Sequence, residues 1–185
     1  IFGGNIAVTC YAPISYISAV VMLLMQGVSD GSQPLISLAY GEGKHDTTKA
    51  VRDLAYRFAF GVAVVCSVVL FLLRGSAAHL FGASEQVTML VAQILPIFII
   101  GFVFVSVSRV TTAYFYATGK NLWAYILIYG EPLTLCILLL ILPNAMGSVN
   151  GTWVSVPLSQ IIAMLLSLLL IHKNRTLEHQ LPSHE

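Results

Sequence analysis

GVSDGSQPLISLAYGEG, residues Gly27 to Gly43, is where an uncharged run ends and charge begins. Ile1 to Ser29 holds no Asp, Glu, Lys or Arg, and about 20 such residues suffice for a helix to cross a bilayer. Glu42, Lys44, Asp46, Lys49, Arg52 and Asp53 then follow in quick succession. The stretch is therefore a membrane boundary. Asp30, Gly31 and Pro34 stand just inside it, where an ordinary span carries Leu and Val.

Outward from that boundary, composition sets the class. Hydrophobic residues make up 57% of the 185-residue chain and charged residues 9%, against roughly 25% charged in soluble domains. Mean hydropathy is +0.86. A water-soluble fold would have too little polar surface to cover its core. The net charge of +1 leaves no footprint for nucleic acid. Cys10, Cys66 and Cys136 lie in apolar runs without CxxC or Cys/His spacing, so neither a metal site nor a disulfide scaffold is expected. HExxH and GxxxxGK[ST] are also absent, and no cofactor is implied. The chain opens on Ile, without a signal-peptide pattern, and reads as a piece of a longer protein.

The fold class is an all-α membrane protein with five spans, at about 5–40, 54–73, 86–116, 122–142 and 152–171, followed by a disordered polar tail at 172–185. Proline removes a backbone donor and clashes with the preceding turn, so the first span is expected to bend or break at Pro13 or between Gly27 and Pro34. Ala59, Gly61 and Ala63 offer the second span small surfaces for a neighbour. Lys44, Lys49, Arg52, Arg57, Lys120, Lys173 and Arg175 fall on one side and only Arg74 on the other. By the positive-inside rule the first loop, the Gly119–Lys120 turn and the tail are cytoplasmic, and the N-terminal end lies outside. Trp123 and Trp153 near span ends fit interfacial anchors. His172, His179 and His184 in the tail form no convergent metal set.

Charges inside spans cost on the order of 3 kcal/mol each on insertion scales. Arg109 lies 11 residues before Lys120 and Glu131 lies 11 after it. At about 1.5 Å per residue both sit roughly 16 Å from that turn, near the midplane, at equal depth on antiparallel helices. Two readings stand: a structural ion pair, or a Glu131 that lines an aqueous path and handles a proton or cation while Arg109 adjusts its affinity. Asp30 has two as well, a cap for a half-helix starting at Gln33 or Pro34, or a cation or substrate ligand at a broken helix, with Gln26 one turn earlier. Tyr11, Tyr16, Tyr114, Tyr116, Tyr125 and Tyr129 are candidate aromatic walls. Gly27 to Gly31 also matches GxSxG, which would make Ser29 the nucleophile of an intramembrane hydrolase. That chemistry needs a nearby base, and no span contains a histidine.

Gln33 to Ser37, QPLIS, followed by Ala39 to Gly43, AYGEG, resembles the end of the second span in each half of the multidrug and toxic compound extrusion (MATE) family. Ala113 to Lys120, AYFYATGK, resembles the end of the family's tenth span, and Gly151-Thr152-Trp153 before Pro157 the entry to its last. The resemblance implies twelve helices in two six-helix lobes, exporting lipophilic, often cationic drugs or toxic metabolites in exchange for protons or sodium ions. On that map residues 1–171 form five helices of the C-terminal lobe in a multi-pass cell-membrane protein. The N-terminal lobe and the first helix of the second lobe, both places for coupling carboxylates, would lie outside this sequence. The third span carries Ser106, Ser108 and Arg109 where some sodium-coupled members have an acidic residue. That departure leaves Glu131 as the midplane carboxylate in hand. Alternatives are a lipid-linked oligosaccharide flippase of the same superfamily, the Ser29 hydrolase, and a membrane subunit that transports nothing.

Overall fold

A computed structural model describes residues 4–180, with side chains described for residues 8–174. The chain forms five long α-helices: α1 (Gly4–Gly41), α2 (His45–Leu73), α3 (Glu85–Ala117), α4 (Asn121–Met146) and α5 (Asn150–Gln180). A 3₁₀ turn, Ala77–Phe81, joins α2 to α3. All five are long and apolar enough to cross a membrane. Short connections reverse the chain each time, so α1, α3 and α5 run one way and α2 and α4 the other.

The two turns at one end of the bundle repeat a single design. Gly43 and Gly119 both adopt φ of 72°, a left-handed conformation that side chains resist, and each is followed by a lysine at the next helix start. Gly43 donates to the Tyr40 carbonyl and Lys44 to that of Ala39; Gly119 donates to Tyr116 and Lys120 to Phe115. These bonds close the last carbonyls of α1 and α3, which lipid or interface could not satisfy.

Helix α3 is central, packing against α1, α2, α4 and α5. Its buried Ser106, Ser108 and Thr111 return their hydroxyls to carbonyls three or four residues earlier, so polar groups sit inside the bundle already satisfied. Small residues allow the close approach. On α2, Ala55, Ala59 and Ala63 recur every fourth position and are all buried, while Gly61, expected to share this face, is exposed. On α5 the same spacing gives Gly151, Ser155, Ser159, Ala163 and Ser167, a buried stripe with no bulky member. Where α3 meets α5, the buried Gln160 side chain occupies the space a Cβ on Gly101 would need, and the Pro157 Cα is 3.4 Å from that Cβ position.

Several expected boundaries move. Helix α1 runs unbroken through Pro13 and Pro34, so the expected break between Gly27 and Pro34 is absent. Helix α2 starts at His45 rather than near 54, which puts Lys49, Arg52 and Asp53 on its first turns instead of in a loop. Helix α5 continues to Gln180, so the expected disordered tail is helical for its first nine residues, 172–180. The side chains of Arg175 and His179, and all of His184, lie outside the described residues. Trp153 is buried beside Tyr11 and Phe98 instead of anchoring at the lipid interface.

Replacing Gly101 by Ala is expected to destabilise the bundle by about 1–3 kcal/mol, the usual range for overpacking. Thermal unfolding in detergent reads this. Adding Gln160→Ala should recover most of the loss; an unchanged melting temperature for Gly101→Ala would contradict the close α3–α5 contact.

Candidate functional site

The α3–α4 turn sets Arg109 and Glu131 against each other, because equal counts from Lys120 on antiparallel helices give equal depth. Arg109 Nη2 lies 3.8 Å from Glu131 Oε2, with 34% and 20% of the two side chains exposed. That separation is an ion pair but not a hydrogen bond. The Arg109 Nε is buried and finds no acceptor among the described residues. At an effective dielectric of 20 the attraction is about 4 kcal/mol. Two insertion costs of about 3 kcal/mol exceed it. The pair therefore does not earn its place through stability.

Arg109 and Glu131 each stand 11 residues from Lys120, about 16 Å along their helices, inside the candidate spans Glu85–Ala117 and Asn121–Met146.

A cavity of about 290 Å³ opens toward the opposite end, lined by Val8 and Tyr11 of α1, Leu135 and Leu139 of α4, and Trp153 and Val156 of α5 among others. It marks a cleft between α1 and α4. Steps of three, four or seven residues carry the α1 stripe of Val8 and Tyr11 on through Ser15, Met22, Gln26, Asp30 and Gln33. Gln26 and Asp30 are joined on this stripe, with Gln26 Nε2 donating to Asp30 Oδ1 at 2.7 Å. Gln33 is half-buried, one turn further on. Gly31 faces elsewhere, into a groove between α1 and α2 with Gly27, Leu35 and Phe58. Pro34 is exposed, and Ser106 is buried with its hydroxyl donating to the Val103 carbonyl.

Two readings of the α1 boundary change. A continuous helix offers no half-helix start at Gln33 or Pro34, so Asp30 is not a cap. Ser29 is buried inside the same helix, its hydroxyl donating to the Met25 carbonyl at 3.2 Å, without the sharp strand-to-helix turn that a GxSxG nucleophile needs. The tyrosines divide: Tyr116, Tyr125 and Tyr129 form a chain of ring contacts at 5.9 and 6.5 Å along α3 and α4, whereas Tyr114 is core. Residue patterns missed one polar lock. Arg52 pairs with Asp53 at 2.8 Å and lies over the Tyr114 ring at 5.2 Å, and Tyr56 shares a 2.7 Å hydrogen bond with Thr111. The aligned spacing of Arg52 and Tyr56, one turn apart on α2, was the available signal.

The family model described as MatE matches residues 2–140. Similar solved structures include a MATE in the bent conformation, with 17% identity and a TM-score of 0.84 over 93% of this chain and 38% of that one. A MATE in complex with MaL6 gives 17% identity and 0.88, over 97% and 41%. An inward-facing multidrug resistance MATE family transporter of the MOP superfamily gives 15% and 0.83, over 96% and 43%. The present chain thus spans about two fifths of the length of these structures. A comparison with curated proteins gave no match.

If Arg109 and Glu131 interact as their separation indicates, Arg109→Ala and Glu131→Ala should each destabilise the protein in detergent, and the double variant should lose less than both together. A coupling of about 0.5 kcal/mol or more is expected. Strictly additive losses would exclude the pairing.

Proposed function

The chain belongs to the MatE family, and on that premise we propose that it forms part of a secondary active multidrug exporter. The whole transporter would exchange lipophilic or cationic compounds for protons or sodium ions by alternating access, this chain supplying five helices of the C-terminal lobe and a preceding lobe supplying the facing half. The glycine-turn end would be cytoplasmic, in keeping with its lysines and arginines. The observation that carries the reading is the incompletely bonded Arg109–Glu131 pair between α3 and α4, in a setting where idle charge is costly. Glu131 would take up and release the coupling cation, and Arg109 would compete for the same carboxylate. A flippase for anionic lipid-linked sugars is less well supported, because the arginine at the pair already faces a carboxylate.

The test is the full-length transporter in proteoliposomes, with efflux of a cationic dye followed under imposed proton or sodium gradients. Glu131→Gln should lower gradient-driven exchange at least about tenfold, the size of one coupling interaction. Exchange as fast as the unmodified protein's would remove Glu131 from the mechanism.

A further inference from the structure

Arg74 is the basic residue that the charge distribution sets apart, at the end of the bundle opposite the glycine turns, where α2 stops. Its guanidinium lies 4.3 Å from the centroid of the Phe71 ring, and no carboxylate among the described residues pairs with it. A guanidinium resting on an aromatic face keeps its five N–H donors for other partners. Arg74 opens onto a cavity of about 440 Å³ between α2 and α3, which it lines with Met89, Ala92, Gln93 and Pro96, a size in the range of small-ligand sites. The four α3 residues recur at steps of three, one and three, so they share one face. Glu85, the acidic residue of α3, stands eight residues before Gln93, about 12 Å along the axis.

Gln93 is exposed, and its amide makes no hydrogen bond among the described residues. Pro96 has no N–H, so the Ala92 carbonyl four residues earlier loses its helical donor, and both members of that broken pair line the cavity. The cavity thus holds unused donors and an unused acceptor, in surroundings where lipid tails supply neither.

We propose that this cavity binds the headgroup of an anionic phospholipid that carries hydroxyl groups, of the phosphatidylglycerol class. The phosphodiester takes the Arg74 fork, the Gln93 amide adds a donor, and a headgroup hydroxyl donates to the Ala92 carbonyl. A lipid suits the walls better than a free anion, because Met89, Ala92 and Pro96 present apolar surface that an acyl chain covers and an inorganic ion does not. A zwitterionic headgroup suits them less, since its ammonium brings a second cation beside Arg74 and meets no carboxylate in the lining. The proposal needs a membrane-spanning bundle and does not depend on the exporter reading.

The test titrates the full-length transporter in neutral detergent with dioctanoyl phosphatidylglycerol, dioctanoyl phosphatidylcholine or inorganic phosphate, and follows thermal unfolding. A ligand that binds the folded state raises the melting temperature as its concentration rises. Phosphatidylglycerol should give a saturable rise, and Arg74→Gln should weaken its apparent affinity at least about tenfold, as loss of a charged hydrogen-bonding partner implies. Gln93→Leu should weaken it in the same direction by a smaller factor, which provides the readout if Arg74→Gln fails to insert. An equal rise with phosphatidylcholine, a rise that both substitutions leave untouched, or no rise at all would overturn the site. Inorganic phosphate matching phosphatidylglycerol would overturn the lipid as its occupant.

Discussion

Lipid offers no hydrogen bonds, and that constraint accounts for most of what this chain does. Every helix but α2 contains at least one proline, yet the helices continue past them, because breaking would expose several backbone groups instead of one. The turns obey the same constraint, with left-handed glycines returning the chain while the last carbonyls stay bonded. The buried Ser155 and Ser167 hydroxyls bond to their own helix and so ask nothing of neighbours, while that of Thr111 bonds its own helix and Tyr56 of α2 as well. What then holds helices together is proximity. The alanine ridge of α2, the small stripe of α5 and the Gly101 notch filled by Gln160 let backbones approach and dispersion accumulate, in surroundings where burying apolar surface gains little.

Much of this was legible from the residues. Five apolar runs gave five helices, and the position of Lys120 midway between Arg109 and Glu131 predicted their meeting, since a tight turn between antiparallel helices makes residue count a measure of depth. Proline was misleading for a physical reason. Its cost in water includes competition from solvent for the freed carbonyl, and a span in lipid has no such competitor, so Pro34 removes one hydrogen bond from α1 without ending it. Charge misled in a similar way. Lys49, Arg52 and Asp53 look like a loop, but a helix projecting past the hydrocarbon carries charge as readily as a loop does, and Arg52 is in fact folded over Tyr114. Trp153 was misplaced because amphipathic rings suit both an interface and a packed core, and only tertiary contacts decide between them.

The candidate site was legible as a set of residues but not as an arrangement. Gln26, Asp30 and Gln33 share one stripe of α1, while Gly31, one position on from Asp30, lines a groove against α2. A rotation of 100° per residue separates the two, and residue spacing alone cannot say which face meets which neighbour.

The Arg109–Glu131 pair meets the same constraint differently. A fork closed to hydrogen-bond length would bind more tightly, whereas at 3.8 Å the guanidinium and the carboxylate attract each other without a hydrogen bond. The buried Arg109 Nε has no acceptor among the described residues. What brings the two charges together is therefore the tight turn that sets α3 and α4 level, and not an optimised bond between them.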